Sequence, residues 1–144
     1  MKRAIDVAPS GEVTDPRERA RLLDEGLDDL ARYWGGEFEP VPVQWPRIPV
    51  WVAGVWPNRR PVRRAARWDG LFAIGMDGPG GLAEMAAQAR GLRAGATPFD
   101  VITEIPPGDD PPRWADGGAT WVVTDFGRGP RESAVRGFIK HGWR

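Results

Sequence analysis

Apolar residues recur at helical spacing over residues 16–34. Leu22, Leu23, Leu27, Leu30, Ala31 and Trp34 form one stripe, and Asp24, Glu25, Asp28 and Asp29 fall on the opposite side. Asp15, Pro16 and Glu18 stand just ahead of that stripe as N-cap, first helical residue and capping-box acid. Gly35-Gly36 supplies the stop. Residues 37–48 hold three prolines and no period, which predicts an extended loop. Residues 49–53 (PVWVA) are a short, wholly apolar run, the pattern of a parallel strand buried on both faces.

The same reading continues along the chain. A helix is predicted over 59–68, with Val62, Ala65 and Ala66 inward, then a strand over 71–74, and an Ala-rich helix over 82–92. A strand follows over 100–105, one helical turn over 113–116, a strand over 119–124 and a last helix over 130–140. Strands begin near residues 49, 71, 100 and 120, the spacing that βα units need, and no tight hairpin loop separates them. These positions predict an α/β fold with about four parallel strands, right-handed crossovers and flanking helices.

Composition narrows the chemistry. The chain has 144 residues, enough for one domain but short of the roughly 200–250 of a complete eight-stranded α/β barrel. Eight tryptophans argue for an ordered chain despite 19 glycines and 15 prolines. There is no cysteine, which excludes disulfides, thiolate catalysis and Cys-based metal sites. His141 is the only histidine, and Ser10 and Ser133 are the only serines; neither serine lies in a nucleophile elbow. No catalytic residue and no metal ligand set emerges. The longest apolar run, residues 50–56, is far below the ~20 residues of a membrane span. A cytoplasmic location without membrane or nucleic-acid partners is the expectation.

Net charge is zero but uneven. Residues 48–68 carry five Arg and no acid, residues 69–125 carry three basic and nine acidic groups, and residues 126–144 carry five basic and one acidic group. Two basic blocks that meet in space would suit a local anion site. The candidate is the strand end and helix start comprising Gly54, Val55, Trp56, Asn58, Arg59 and Arg60. Free N–H groups at a helix start, an Asn58 cap, Arg59 or Arg60 beside the anion, and a Trp56 ring for stacking would act together there.

Other clusters read as ordinary structure. The glycine-rich stretch 75–81 lacks the Lys-Ser or Lys-Thr of a phosphate-binding loop and reads as a βα loop. Asp24, Glu25, Asp28 and Asp29 read as a solvated helix face, and Asp109 and Asp110 as loop residues. Trp51 and Trp121, inside strands, read as core.

Three stretches carry a family resemblance. TDPRERARLLDEGLDDLARYWGGE (14–37) resembles the long helix and its end in bacterial luciferase-like flavin monooxygenases. PRIPVWVAGVWPNRRPVRRAARWDGLF (46–72) resembles their strand–loop–helix–strand pattern IPVWVGG…RRAAR…DGWF, and GATWVV (118–123) resembles their last barrel strand. The resemblance implies a (β/α)8 barrel of the TIM type, with this chain matching the C-terminal half over 15–144 after an irregular segment 1–14. It implies reduced FMN with oxygen, or the deazaflavin F-420, bound at the carboxyl-end mouth. Two departures stand out. The family's glycine-rich strand and loop ahead of the first helix have no counterpart here. Where the family has two glycines and Ser-Pro, this chain has Gly54-Val55-Trp56-Pro57. The expectation is a flavin- or deazaflavin-dependent oxidoreductase incomplete as a catalyst on its own. The alternative is a non-catalytic remnant, or a half-barrel that pairs as a homodimer or with a complementary chain.

Overall fold

The computed structural model describes residues 11–95 and 97–142. Residues 1–10 of the expected irregular segment lie outside the described residues. The chain divides into two compact units, Met1–Ile48 and Pro49–Arg144.

The first unit is built on helix α1, Pro16–Arg32. Asp15 caps it as expected, its carboxylate accepting from the backbone N–H of Arg17 at 3.0 Å and of Glu18 at 2.8 Å. Arg21 bridges Glu18 and Glu25, one turn to either side of it, and Arg32 pairs with Asp29 one turn back, all on the exposed side. The Arg21 guanidinium holds the Glu18 carboxyl below its ordinary range. A π-helical turn, Tyr33–Glu37, ends the helix, with Gly36 at φ 109° where a side chain would be strained. Leu27 is buried, but Leu22, Leu23 and Leu30 of the expected inward stripe are exposed. Asp15→Ala is expected to cost about 1 kcal/mol of helix stability by freeing two N–H groups. Helical circular dichroism during thermal unfolding reads this, and an unchanged α1 transition would refute it.

The second unit alternates strand and helix: β1 Trp51–Val55, α2 Arg59–Ala65, β2 Gly70–Ile74, α3 Pro79–Gly91, β3 Asp100–Ile105, α4 Pro111–Asp116, β4 Trp121–Thr124 and α5 Glu132–His141. The strands form one sheet in the order β1-β2-β3-β4, every neighbouring pair parallel. The predicted α/β class and four parallel strands are therefore present, consistent with part of an α/β barrel.

Register decides the two faces. Val52 pairs with Leu71 and Leu71 with Val101, while Gly54 pairs with Ala73 and Ala73 with Thr103. These residues are buried, together with Val62 and Ala65 of α2 and Leu82, Met85, Ala86 and Ala89 of α3. A Cβ at Gly54 would stand 2.8 Å from Met85 Cε and 3.2 Å from Pro61 Cβ, which fixes this as the helix-covered face. When each strand lies beside the next in sequence, crossovers of one hand put their helices on one side.

The other face carries Trp51, Ala53, Phe72, Ile74, Asp100, Ile102, Glu104, Trp121 and Val123, as alternation requires. Here two expectations are corrected. The run 49–53 is not a strand buried on both faces: the strand spans 51–55, and Trp51 and Ala53 are exposed. Trp51 and Trp121 are not core, being 41% and 54% exposed. Their rings pack on each other, centroids 5.8 Å apart, on the face opposite α2 and α3. Gly70 makes this possible, because a Cβ there would stand 2.6 Å from Trp51 Cδ1.

Candidate functional site

The two ends of a parallel sheet differ in what its chemistry can do. At the amino end, polar groups tie the strands together. Trp51 Nε1–H donates to Asp100 at 3.1 Å, the Thr120 hydroxyl donates to the other oxygen of Asp100 at 3.1 Å, and Val101 N–H donates to Thr120 Oγ1 at 2.9 Å. Val50 N–H donates to Asp69 at 2.7 Å. These bonds are internal, so this end is scaffold.

The carboxyl end is open. Gly75 and Met76 after β2, Glu104, Ile105 and Pro106 at the end of β3, and Asp125 after β4 line a cleft of about 200 Å³. Gly75 turns the chain out of β2 at φ 72°. Asp125 N–H continues the ladder to Ile105 C=O at 2.8 Å, and its carboxylate accepts from Gly127 N–H at 2.8 Å. Ligands of parallel α/β sheets bind at this end, where loops from several strands converge. The polar side chains of the cleft are two carboxylates, Glu104 and Asp125, so it offers acceptors for N–H, O–H or cationic groups.

The residues predicted from sequence fall elsewhere. Gly54 faces Met85, Pro61 and Leu71 in the core, so its missing side chain makes room for helices. Val55 ends β1, and Trp56 N–H donates to Ile74 C=O at 3.1 Å. The Trp56 indole lies beside Gly81, its Nε1 3.6 Å from the place of a Cβ there. Asn58 N–H donates to Val55 C=O at 2.9 Å, but its side chain makes no cap hydrogen bond, contrary to expectation. Arg59 and Arg60 are exposed. Arg59 lines a separate groove of about 350 Å³ between α2 and α3, with Val62, Arg63, Gln88, Gly91 and Leu92. The two basic blocks belong to opposite ends of the strand order, α2 following β1 and α5 following β4.

Sequence reasoning therefore missed Glu104, Pro106 and Asp125 as a group. The available signal was positional, since each stands at or just beyond a strand end. The Gly75–Gly81 stretch is a βα loop as read, and its first residue borders the cleft. The acidic residues of α1 include Glu25 and Asp29 in ion pairs, and no group of three potential metal ligands occurs among the described residues. Asp109 accepts from Asp110 N–H at 2.8 Å and from Trp114 Nε1–H at 3.0 Å; these bonds, the backbone one foremost, hold its carboxyl below the ordinary range.

A flavin phosphate needs cations or clustered N–H donors. The carboxyl-end cleft offers two carboxylates instead, and its volume is below the ~300–1,000 Å³ of ordinary ligand pockets. The buried Thr103 Oγ1, which lacks a hydrogen-bond partner, belongs to the helix-covered face and marks no ligand position in the cleft. The lining of this cleft does not by itself fit FMN. Thr103→Val removes that unpaired hydroxyl from a fully buried position and is expected to be neutral or stabilising by up to ~1 kcal/mol. A loss above ~1 kcal/mol in urea unfolding would show that the hydroxyl holds a partner such as a buried water.

No protein-family model, curated protein or solved structure matches the chain.

Proposed function

We propose that the chain is one half of a barrel of the luciferase-like oxidoreductase type, incomplete as a flavin or deazaflavin catalyst by itself. The support for the barrel is the parallel order β1-β2-β3-β4 with α2 and α3 packed on one face, the side a barrel turns outward. The support for incompleteness is the small, carboxylate-lined cleft at the mouth end. In this reading Glu104 and Asp125 border the mouth and position hydrogen-bond donors of a ligand. The groups that meet a phosphate come from the other half of the barrel. The cofactor carries the redox chemistry when bound.

Two titrations test this. The chain alone at ~100 μM, well above the usual range for a tight cofactor, is expected to give no saturable absorbance change with FMN or F-420. The chain joined behind the first four βα units of a luciferase-like flavin protein is expected to acquire one. Tight binding by the unfused chain would overturn incompleteness, and a folded fusion that binds neither cofactor would overturn the oxidoreductase reading.

A further inference from the structure

We propose that the groove between α2 and α3 binds a small organic phosphate monoester, its phosphate held by Arg59 and Arg63 and its body by the apolar lining beside them. The groove measures about 350 Å³, inside the ~300–1,000 Å³ of ordinary ligand pockets, against about 200 Å³ for the carboxyl-end cleft. At about 30 Å³ for a water-sized group it takes roughly a dozen such groups, which suits a phosphate with a short body. The groove and the cleft share no lining residue, so this site stands apart from the cofactor reading.

Charge selects the ligand. Arg59 and Arg63 stand one turn apart on α2 and line the same space. Arg21, Arg32, Arg113 and Arg136 each pair with a carboxylate three or four residues away. Arg59 and Arg63 have no such partner among the described residues. The sequence withholds one, since residues 48–68 contain no acid, and no acid lines the groove. Two guanidiniums without a counter-charge on one space favour a divalent anion. A phosphate monoester carries about −1.5 to −2 at pH 7 and offers three acceptor oxygens, where a carboxylate brings a single charge.

The rest of the lining fits the body of the ester. Val62 is buried and Leu92 is 54% exposed, so apolar surface lies beside the two cations. The Gln88 amide donates to Glu84 at 3.4 Å and keeps a second N–H for a ligand oxygen. Gly91 leaves room: it costs helix stability relative to alanine, yet nothing lies within 4 Å of its Cβ position to demand a glycine. The end of α3 carries partial negative charge, but the N–H groups of Leu92 and Arg93 take the Ala89 and Arg90 carbonyls at 3.2 and 3.1 Å. Arg90 adds a positive charge to the same turn.

Phenyl phosphate is the probe. Titration calorimetry of the full chain is expected to give one site with Kd below ~1 mM. Inorganic phosphate lacks the apolar body and benzoate lacks the second charge, and each is expected to bind at least ~10-fold more weakly. Arg63→Gln removes a cation and Gly91→Leu fills the groove. Both positions are exposed, and each change is expected to weaken phenyl phosphate by ~10-fold or more with unchanged circular dichroism. Arg60→Gln removes the same charge from α2 outside the groove and is expected to leave affinity within about twofold. No saturable binding up to ~10 mM, equal losses at Arg60 and Arg63, or full affinity in Gly91→Leu overturns the proposal. Retention on phosphatidylcholine vesicles containing phosphatidic acid, without binding of phenyl phosphate, overturns it in favour of a lipid headgroup.

Discussion

Gly70→Val is expected to lower the stability of the second unit by about 2–3 kcal/mol, the upper part of the range for overpacking. Three atoms crowd the position. A Cβ would stand 2.6 Å from Trp51 Cδ1, 2.9 Å from the Asp100 carbonyl oxygen and 3.0 Å from Asp100 Cβ. The indole can move away, but only by giving up its contact with Trp121 and its bond to Asp100. The carbonyl is backbone of the neighbouring strand β3 and cannot move without disturbing the pairing of Gly70 with Asp100. Urea unfolding followed by tryptophan fluorescence measures the loss and also reports the displaced Trp51. Gly80→Ala is the control, because nothing lies within 4 Å of its Cβ position inside α3. It is expected to be neutral or slightly stabilising by helix propensity. A Gly70→Val loss below ~0.5 kcal/mol, the ordinary scale of a surface substitution, would refute the crowding argument.

Gly70 also shows why the faces of the sheet were hard to read. Parallel strands are usually covered on both sides, and a continuous apolar run such as residues 49–53 carries no mark of which side the helices cover. The assignment of Trp51 to the core followed from that. What places it on the face opposite α2 and α3 is the register with Gly70 and Asp100, a relation between residues 19 and 49 positions away. Local signals fared better. The span 100–105 was recovered as β3, and the Asp15-Pro16 start of α1 matches the observed cap. The helix predicted over 59–68 ends at Ala65 because Arg67 and Trp68 donate to Arg64 and Ala65, three residues back, tightening the last turn into the link to β2. The cleft was the least legible feature. Met76, Glu104 and Asp125 come from three separate strand ends, and no contiguous motif encodes their meeting. The arginines of α2 form a contiguous motif, and they drew the site prediction to a helix whose Arg59 and Arg63 line a different groove.

The close approach of α3 to β1 at Gly54 leads to the last expected result, a non-additive pair. Met85 is fully buried, and Met85→Ala is expected to cost about 2–5 kcal/mol through lost contact and the cavity left behind. Gly54→Ala places a methyl 2.8 Å from Met85 Cε, 3.2 Å from Pro61 Cβ and 3.3 Å from Leu71 Cδ1. The first of these is the mobile end of a flexible side chain, so Met85 must swing from its rotamer, at about 1–2 kcal/mol. With Met85 truncated, that clash vanishes, and the new methyl fills part of the space the thioether left. The double variant is therefore expected to be more stable than the sum of the two single losses by about 1 kcal/mol, within the range for residues in contact. Chemical unfolding of the four proteins in one buffer measures this coupling. Losses that add within ~0.3 kcal/mol would mean that the helix has shifted as a body to admit the methyl. The tight spacing of α3 on β1 would then depend on the strand backbone rather than on Met85.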